Sequence, residues 1–176
     1  MTETKDKYSL CIVPTGKAYN TLKTLIDELA LSHNSPSFVP HVTLIGSLFS
    51  APSEYKKMLL NIQELASKLP RFQITLDEYG YMEEMYRCVY LLAHAPEFND
   101  VFETTAESFP EVKDQHFQSL PHLSVLYGFY SSAEKEKVIA THPLPVLDFD
   151  VNRLKLFLTN GTAESWKEVE TFPLTK

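Results

Sequence analysis

Residues 40–50 read PHVTLIGSLFS, and residues 121–131 read PHLSVLYGFYS. Proline, histidine and the closing serine recur in register, and Thr43 faces Ser124. A strand written twice asks for two pseudo-equivalent units, each with the same strand at its heart. In an extended strand, residues i and i+2 project to one side. His41 and Thr43 therefore share a face, as do His122 and Ser124. Val42, Leu44, Leu123 and Val125 point the other way, toward a core. A proline before each histidine holds the preceding residue extended and helps fix where the strand begins.

The segments around the two copies repeat a rhythm. YSLCIVP (8–14) reads as a buried strand stopped by Pro14. From Lys17 to Ser32, Ala18, Leu22, Leu25, Ile26 and Leu29 fall at helical spacing. HNSPS breaks that helix, and a strand His41–Phe49 follows. Pro52 opens a second helix, with Tyr55, Met58, Leu59, Ile62, Leu65, Ala66 and Leu69 on its inner face. RFQITLDEYGYM and YRCVYLLAHA are two strands joined by MEEM, an antiparallel pair. Residues 97–109 form a helix ended by Pro110. EVKDQHFQSLP is a polar loop, from which a strand His122–Tyr130 leaves. Ser131 and Glu134 have the spacing of a capping box for a helix through Ala140. LDFDVNRLKLFLT and SWKEVETFPL read as two final strands around the turn NGTAE. This order predicts an α+β fold, one domain over residues 1–176. Two pseudo-symmetric lobes of antiparallel sheet carry outer helices.

Composition narrows the partners. The formal net charge of −7 argues against a protein that coats long nucleic acid, which needs a dense basic surface. A small phosphate ester needs only a local positive field and stays open. Cys11 and Cys88 are the two cysteines, both in apolar runs, so buried free thiols are expected rather than a disulfide or metal site. No apolar run approaches the roughly 20 residues of a membrane span. The chain reads as a soluble cytoplasmic protein and a monomer, with neither a membrane nor long nucleic acid as partner.

If an approximate two-fold axis relates the lobes, the two His-x-Thr/Ser faces meet across a cleft. Two imidazoles with ordinary pKa near 6.5 can be split at neutral pH into one base and one acid. That pair suits in-line displacement at phosphorus: one activates the incoming oxygen, the other protonates the leaving oxygen. The hydroxyls of Thr43 and Ser124 can donate to non-bridging oxygens. His33-Asn34-Ser35 also matches the pattern, but it sits in a polar break and is assigned no role.

The two motifs HVTL and HLSV resemble the paired signatures of the 2H phosphoesterase superfamily. YSLCIVP, FVPHVTL, CVYLL, LPHLSVLYG, NRLKL and ESWKEVET resemble, in order, segments of its plant and fungal cyclic phosphodiesterase branch. The resemblance spans nearly the whole chain and implies a two-lobed, LigT-like fold with the motifs lining the cleft. It implies opening of nucleoside 2',3'-cyclic phosphates to 2'-phosphates, and of ADP-ribose 1'',2''-cyclic phosphate to the 1''-phosphate, a by-product of tRNA splicing. No metal and no cofactor are implied. Carried over by position, His41 and His122 are the catalytic pair, Thr43 and Ser124 bind phosphate, and Tyr127 contacts the base or sugar. The near-identity of the strands leaves open which histidine is base; the resemblance points to His122. Where the plant enzymes place a substrate-binding tryptophan on the first strand, this chain has Cys11, and the plant disulfide cysteines are missing. Rival readings are an RNA-end exonuclease or 2'-5' ligase-like enzyme, a phosphonucleotide-binding module without turnover, and a purely structural domain. The last would leave the repeated polar residues unexplained.

Overall fold

The computed structural model describes residues 3–112 and 120–175. The chain runs β1 (Asp6–Ile12), α1 (Gly16–His33), β2 (Val42–Ser50), α2 (Tyr55–Lys68), β3 (Phe72–Tyr81) and β4 (Val89–His94). It continues as α3 (Phe98–Ser108), β5 (His122–Leu126), α4 (Ser132–Thr141), β6 (Leu147–Val151), β7 (Arg153–Leu158) and β8 (Lys167–Pro173). The fold is α+β, as the repeated order of elements predicts.

All eight strands join one antiparallel sheet in the order β6-β3-β4-β5-β2-β1-β7-β8. The two motif strands are its centre, and one lobe extends to each side. Their pairing, Val42 to Leu123, joins the residue after each histidine. Equivalent residues pairing with each other is what a two-fold axis through the middle of the sheet demands.

The sheet is strongly curled, for a reason visible in the connectivity. β6 lies at one edge and β7 is next to the other, yet only Asn152 separates them in sequence. Flat, those strands would lie roughly 29 Å apart at ~4.8 Å per strand. One residue reaches less than about 4 Å. The two arms must therefore approach each other, and the Leu174 N–H donates to the Asn152 carbonyl at 2.9 Å along the seam.

That crossing corrects the reading of LDFDVNRLKLFLT as one strand. Buried positions run 147, 149, 151 and then 154, 156, so the alternation slips phase at Asn152. One strand cannot change its inward face without a break.

One face of the sheet is covered by the helices. Leu10, Ile12, Val42, Leu44, Leu123, Val125, Leu154 and Leu156 meet Leu22, Ile26, Leu29, Ile62 and Leu65 there, each 1% exposed or less. Burying each such side chain contributes about 1.5–3 kcal/mol. Both cysteines are buried and unpaired with each other.

Three boundaries differ from expectation. Pro52 lies in a turn, and α2 starts at Tyr55. β5 stops at Leu126 rather than Tyr130, because Gly128 adopts φ +141 and gives its N–H to the Met85 carbonyl. A Cβ there would lie 2.6 Å from the Tyr130 ring. MEEM runs into a 3-10 turn, Met85–Arg87, that begins on its last residue. Of the polar loop, residues 113–119 lie outside the described residues. The capping box forms: Ser131 Oγ accepts from the Glu134 N–H, and Glu134 accepts from the Ser131 N–H at 2.9 Å. Such a cap contributes about 1 kcal/mol. Among the described residues no helix is long and apolar enough to cross a membrane.

Candidate active site

The face of the sheet away from the main core holds the polar members of the repeated motif. The Val42–Leu123 pair, continued in antiparallel register, sets His41 opposite Ser124 and Thr43 opposite His122. Directly opposed residues lie about 4.5–5.5 Å apart at Cβ. His41, Thr43, His122 and Ser124 line one cleft with a cavity volume of about 190 Å³. His33 is elsewhere: it ends α1, where Asn34 turns into the left-handed region at φ 49.

Each histidine is fixed in the same way. His41 Nδ1 is 2.6 Å from the Val39 carbonyl, and His122 Nδ1 is 2.8 Å from the Leu120 carbonyl. The acceptor is two residues back, across the motif proline, so Pro40 and Pro121 help aim it. A carbonyl accepts only, so Nδ1 carries the proton and donates. Among the described residues Nε2 has no hydrogen-bond partner on either ring, and both rings line the cleft. Both pKa values lie below the ordinary histidine value, chiefly because burial disfavours the cation. For His41 the charge of His122 adds to the depression, which couples the two rings; for His122 the Arg87 guanidinium does so. Two coupled imidazoles in one cleft resist being cations together.

The hydroxyls already have neighbours. Ser124 Oγ donates to the Tyr86 carbonyl at 2.6 Å. Thr43 hydrogen-bonds the Cys11 thiol, which burial pushes up to about 12 and keeps protonated. Donation by Ser124 to a bound anion requires its proton to swing from Tyr86 into the cleft. Tyr127 also lines the cleft, but as a wall: it is 3% exposed and stacks on Phe38 at 3.8 Å. Burial drives its phenol well above the ordinary value.

Sequence reasoning did not single out Lys7, Ser9, Tyr86, Thr159 and Trp166, which line the same cleft. A signal for the first two was present, since Lys7, Ser9 and Cys11 alternate with the core residues Leu10 and Ile12 on β1. Lys7 brings a cation to a cleft in a chain of net charge −7. Trp166, the chain's one tryptophan, lies in a segment whose composition reads as plain strand. Among the described residues, no three or more His, Cys, Asp or Glu gather to hold a metal ion. Two imidazoles, two hydroxyls and an ammonium suit a small anion whose reaction needs proton transfer on two sides.

Comparison with known proteins bears on this arrangement. Residues 18–163 match the family model of the 2'-5' RNA ligase superfamily. A cyclic phosphodiesterase of Arabidopsis thaliana is 29% identical over 174 residues, covering 94% of this chain and 93% of the relative. Apo LigT of E. coli superposes with a TM-score of 0.63 at 16% identity, over 99% of this chain and all of LigT. The protein TT0787 of Thermus thermophilus gives 0.66 at 18%, over 96% of this chain and 97% of its own. The fold is the LigT fold, and the doubled histidine strand stands at its centre. The chain belongs to the 2'-5' RNA ligase superfamily, the 2H phosphoesterases, with similarity to a plant cyclic phosphodiesterase.

Proposed function

We propose that this chain hydrolyses nucleoside 2',3'-cyclic phosphates to nucleoside 2'-phosphates, and ADP-ribose 1'',2''-cyclic phosphate to the 1''-phosphate, without a metal. The observation that carries the reading is the pair of imidazoles lining one cleft, each locked through Nδ1 by a carbonyl two residues back, with Nε2 unpartnered among the described residues. The similarity to a cyclic phosphodiesterase supports it.

In the proposed reaction His122 Nε2 takes a proton from water as its oxygen attacks phosphorus. The P–O3' bond breaks, and O3' takes the proton of His41 Nε2. Water is thereby added across the P–O3' bond, and exchange with solvent resets the two rings. The assignment of His122 as base follows the resemblance to the cyclic phosphodiesterases. Burial, with Arg87 adding to it and Glu84 opposing, lowers the His122 pKa and favours the neutral form a base needs. The like charge of one ring acts on the other, so a proton drawn in by an anionic substrate rests on one ring, His41 in this assignment. Thr43 and Ser124 hold the non-bridging oxygens, where charge is redistributed, and Lys7 draws the anion in.

31P NMR of adenosine 2',3'-cyclic phosphate with the protein in EDTA tests this. Conversion to the 2'-phosphate alone, lost in both His41→Ala and His122→Ala, is expected. Cyclic phosphate held unchanged by the wild type would overturn turnover in favour of a binding module.

A further inference from the structure

Two aromatic rings meet over the cleft from opposite lobes. Tyr86 belongs to the 3-10 turn between β3 and β4, on the side of His122, and is 48% exposed. Trp166 follows the turn Ala163–Ser165 between β7 and β8, on the side of His41. Their centroids are 6.0 Å apart with the planes tilted by 37°. Both rings touch Tyr127, and Trp166 stands edge-on to His41 at 6.1 Å. The indole Nε1–H is buried and has no acceptor among the described residues, an unsatisfied donor that a ligand atom could satisfy.

We infer that Tyr86 and Trp166 are the specificity-determining residues that grip the nucleobase of the substrate, one face each. The inference rests on the phosphodiester reading of the cleft. A planar ring stacked between two others sets its neighbours roughly 7 Å apart, twice a ~3.5 Å contact distance. The two rings are already near that separation, and a modest rotation of Tyr86 on its exposed turn would bring the planes parallel. The position is also right in sequence along a nucleotide: the imidazoles lie in the cleft, Trp166 lies beside His41, and a ribose fills the distance between phosphorus and base. Trp166 shares a small cavity with Cys11, so it stands over the strand position that the first strand fills only with a thiol. The base is held by stacking and by the indole donor, not by the buried Tyr127.

The single tryptophan makes a direct test possible, since all indole emission comes from position 166. Adenosine 2'-phosphate is titrated against Trp166 fluorescence, beside inorganic phosphate. Saturable quenching by the nucleotide, and no comparable change with phosphate, is expected. Tyr86→Leu, chosen because the ring is exposed, should raise the Kd for the nucleotide about tenfold or more, given the roughly 1–3 kcal/mol that stacking contributes per base. In kinetics, the same variant should lose more on adenosine 2',3'-cyclic phosphate, mainly in KM, than on base-free glycerol 1,2-cyclic phosphate. Equal quenching by inorganic phosphate, or an unchanged Kd in Tyr86→Leu, would overturn the clamp. Quenching that persists in a protein with no turnover would leave the clamp standing and sink the esterase instead.

Discussion

The two central strands carry the same motif in different surroundings. β2 runs nine residues and faces β1, which sets Cys11 against Thr43. β5 runs five residues and faces β4, which sets Tyr90 against Ser124. His41 stands in an apolar ring of Phe38, Phe157 and Trp166, at 6.2, 6.4 and 6.1 Å. His122 has the edge of Tyr90 at 5.3 Å, with Arg87 and Glu84 acting on its charge. Glu84 grips Arg87 in a fork, with nitrogen–oxygen distances of 2.7–2.9 Å. The shared motif sets two like groups at one site, and their neighbours differ. In the proposed reaction the two histidines take unlike roles, His122 as base and His41 as acid.

The sharpest way to break this comparison is to remove one histidine at a time. His41→Ala and His122→Ala should each lower kcat by about 10²–10⁴-fold, the range for losing one general acid or base. The double variant should be little worse than either single one, since the two act as a unit. A substrate with a better leaving group, such as an aryl phosphodiester, should rescue His41→Ala and not His122→Ala. Equal rescue of both would mean that the two histidines do not take unlike roles.

Replacing the hydroxyls should cost less. Thr43→Ala and Ser124→Ala each lose a hydrogen bond to a charged oxygen, about 10–100-fold in kcat/KM. They should differ in stability. Ser124 also donates to the Tyr86 carbonyl, so Ser124→Ala should lower Tm more than Thr43→Ala, whose neighbour is the Cys11 thiol. Calorimetry of the two variants decides this.

The placement of the four motif side chains in one cleft was legible because it is local. The i, i+2 rule puts histidine and hydroxyl on one face, and Val42 and Leu123 carry the opposite face into the core whatever the rest of the chain does. The edges of the site were not legible, because they are made by contacts distant in sequence. Tyr86 and Trp166 meet only because the sheet curls, and that curl follows from the one-residue link at Asn152. The phase slip at that link is present in the sequence, but a run of alternating residues hides it. Gly128 leaves the strand in answer to a carbonyl at Met85, on another strand connection. Tyr127 has the composition of a ligand contact and the burial of a wall; only packing against Phe38 tells them apart.

The Tyr90 side can be disturbed from behind. Gly80 pairs with Tyr90 across β3 and β4, and a Cβ there would fall 2.5 Å from the Tyr90 ring. Gly80→Ala therefore forces the buried ring to move, and His122 lies on its edge. Overpacking of this kind costs about 1–3 kcal/mol. Thermal unfolding should show that loss, and kcat should fall several-fold with the acidic limb of its pH profile displaced. Adding Tyr90→Leu should return much of the stability. An unshifted pH limb in Gly80→Ala would mean that Tyr90 does not govern the His122 side.

The smallest effect tests both sides together through proton linkage. Both cleft imidazoles have folded pKa values depressed by burial. The unfolded chain, with ordinary values near 6.5, therefore binds more protons wherever the two states differ. Stability rises with pH under that condition. The contribution is fully present above about pH 6.5, and it is lost as pH falls from there toward the folded values. The carboxylates with lowered pKa, Asp27 and Glu134 among them, lose their contribution further down, below the ordinary carboxylate value. Urea unfolding at pH 5.5 and 7.5 isolates the histidine window. The wild type should be more stable at pH 7.5, and the double variant His41→Gln, His122→Gln should flatten the difference. Restoring one histidine at a time then measures each side: His41 in its apolar ring and His122 beside its ion pair should return unequal shares, and equal shares would erase the electrostatic distinction between the two strands.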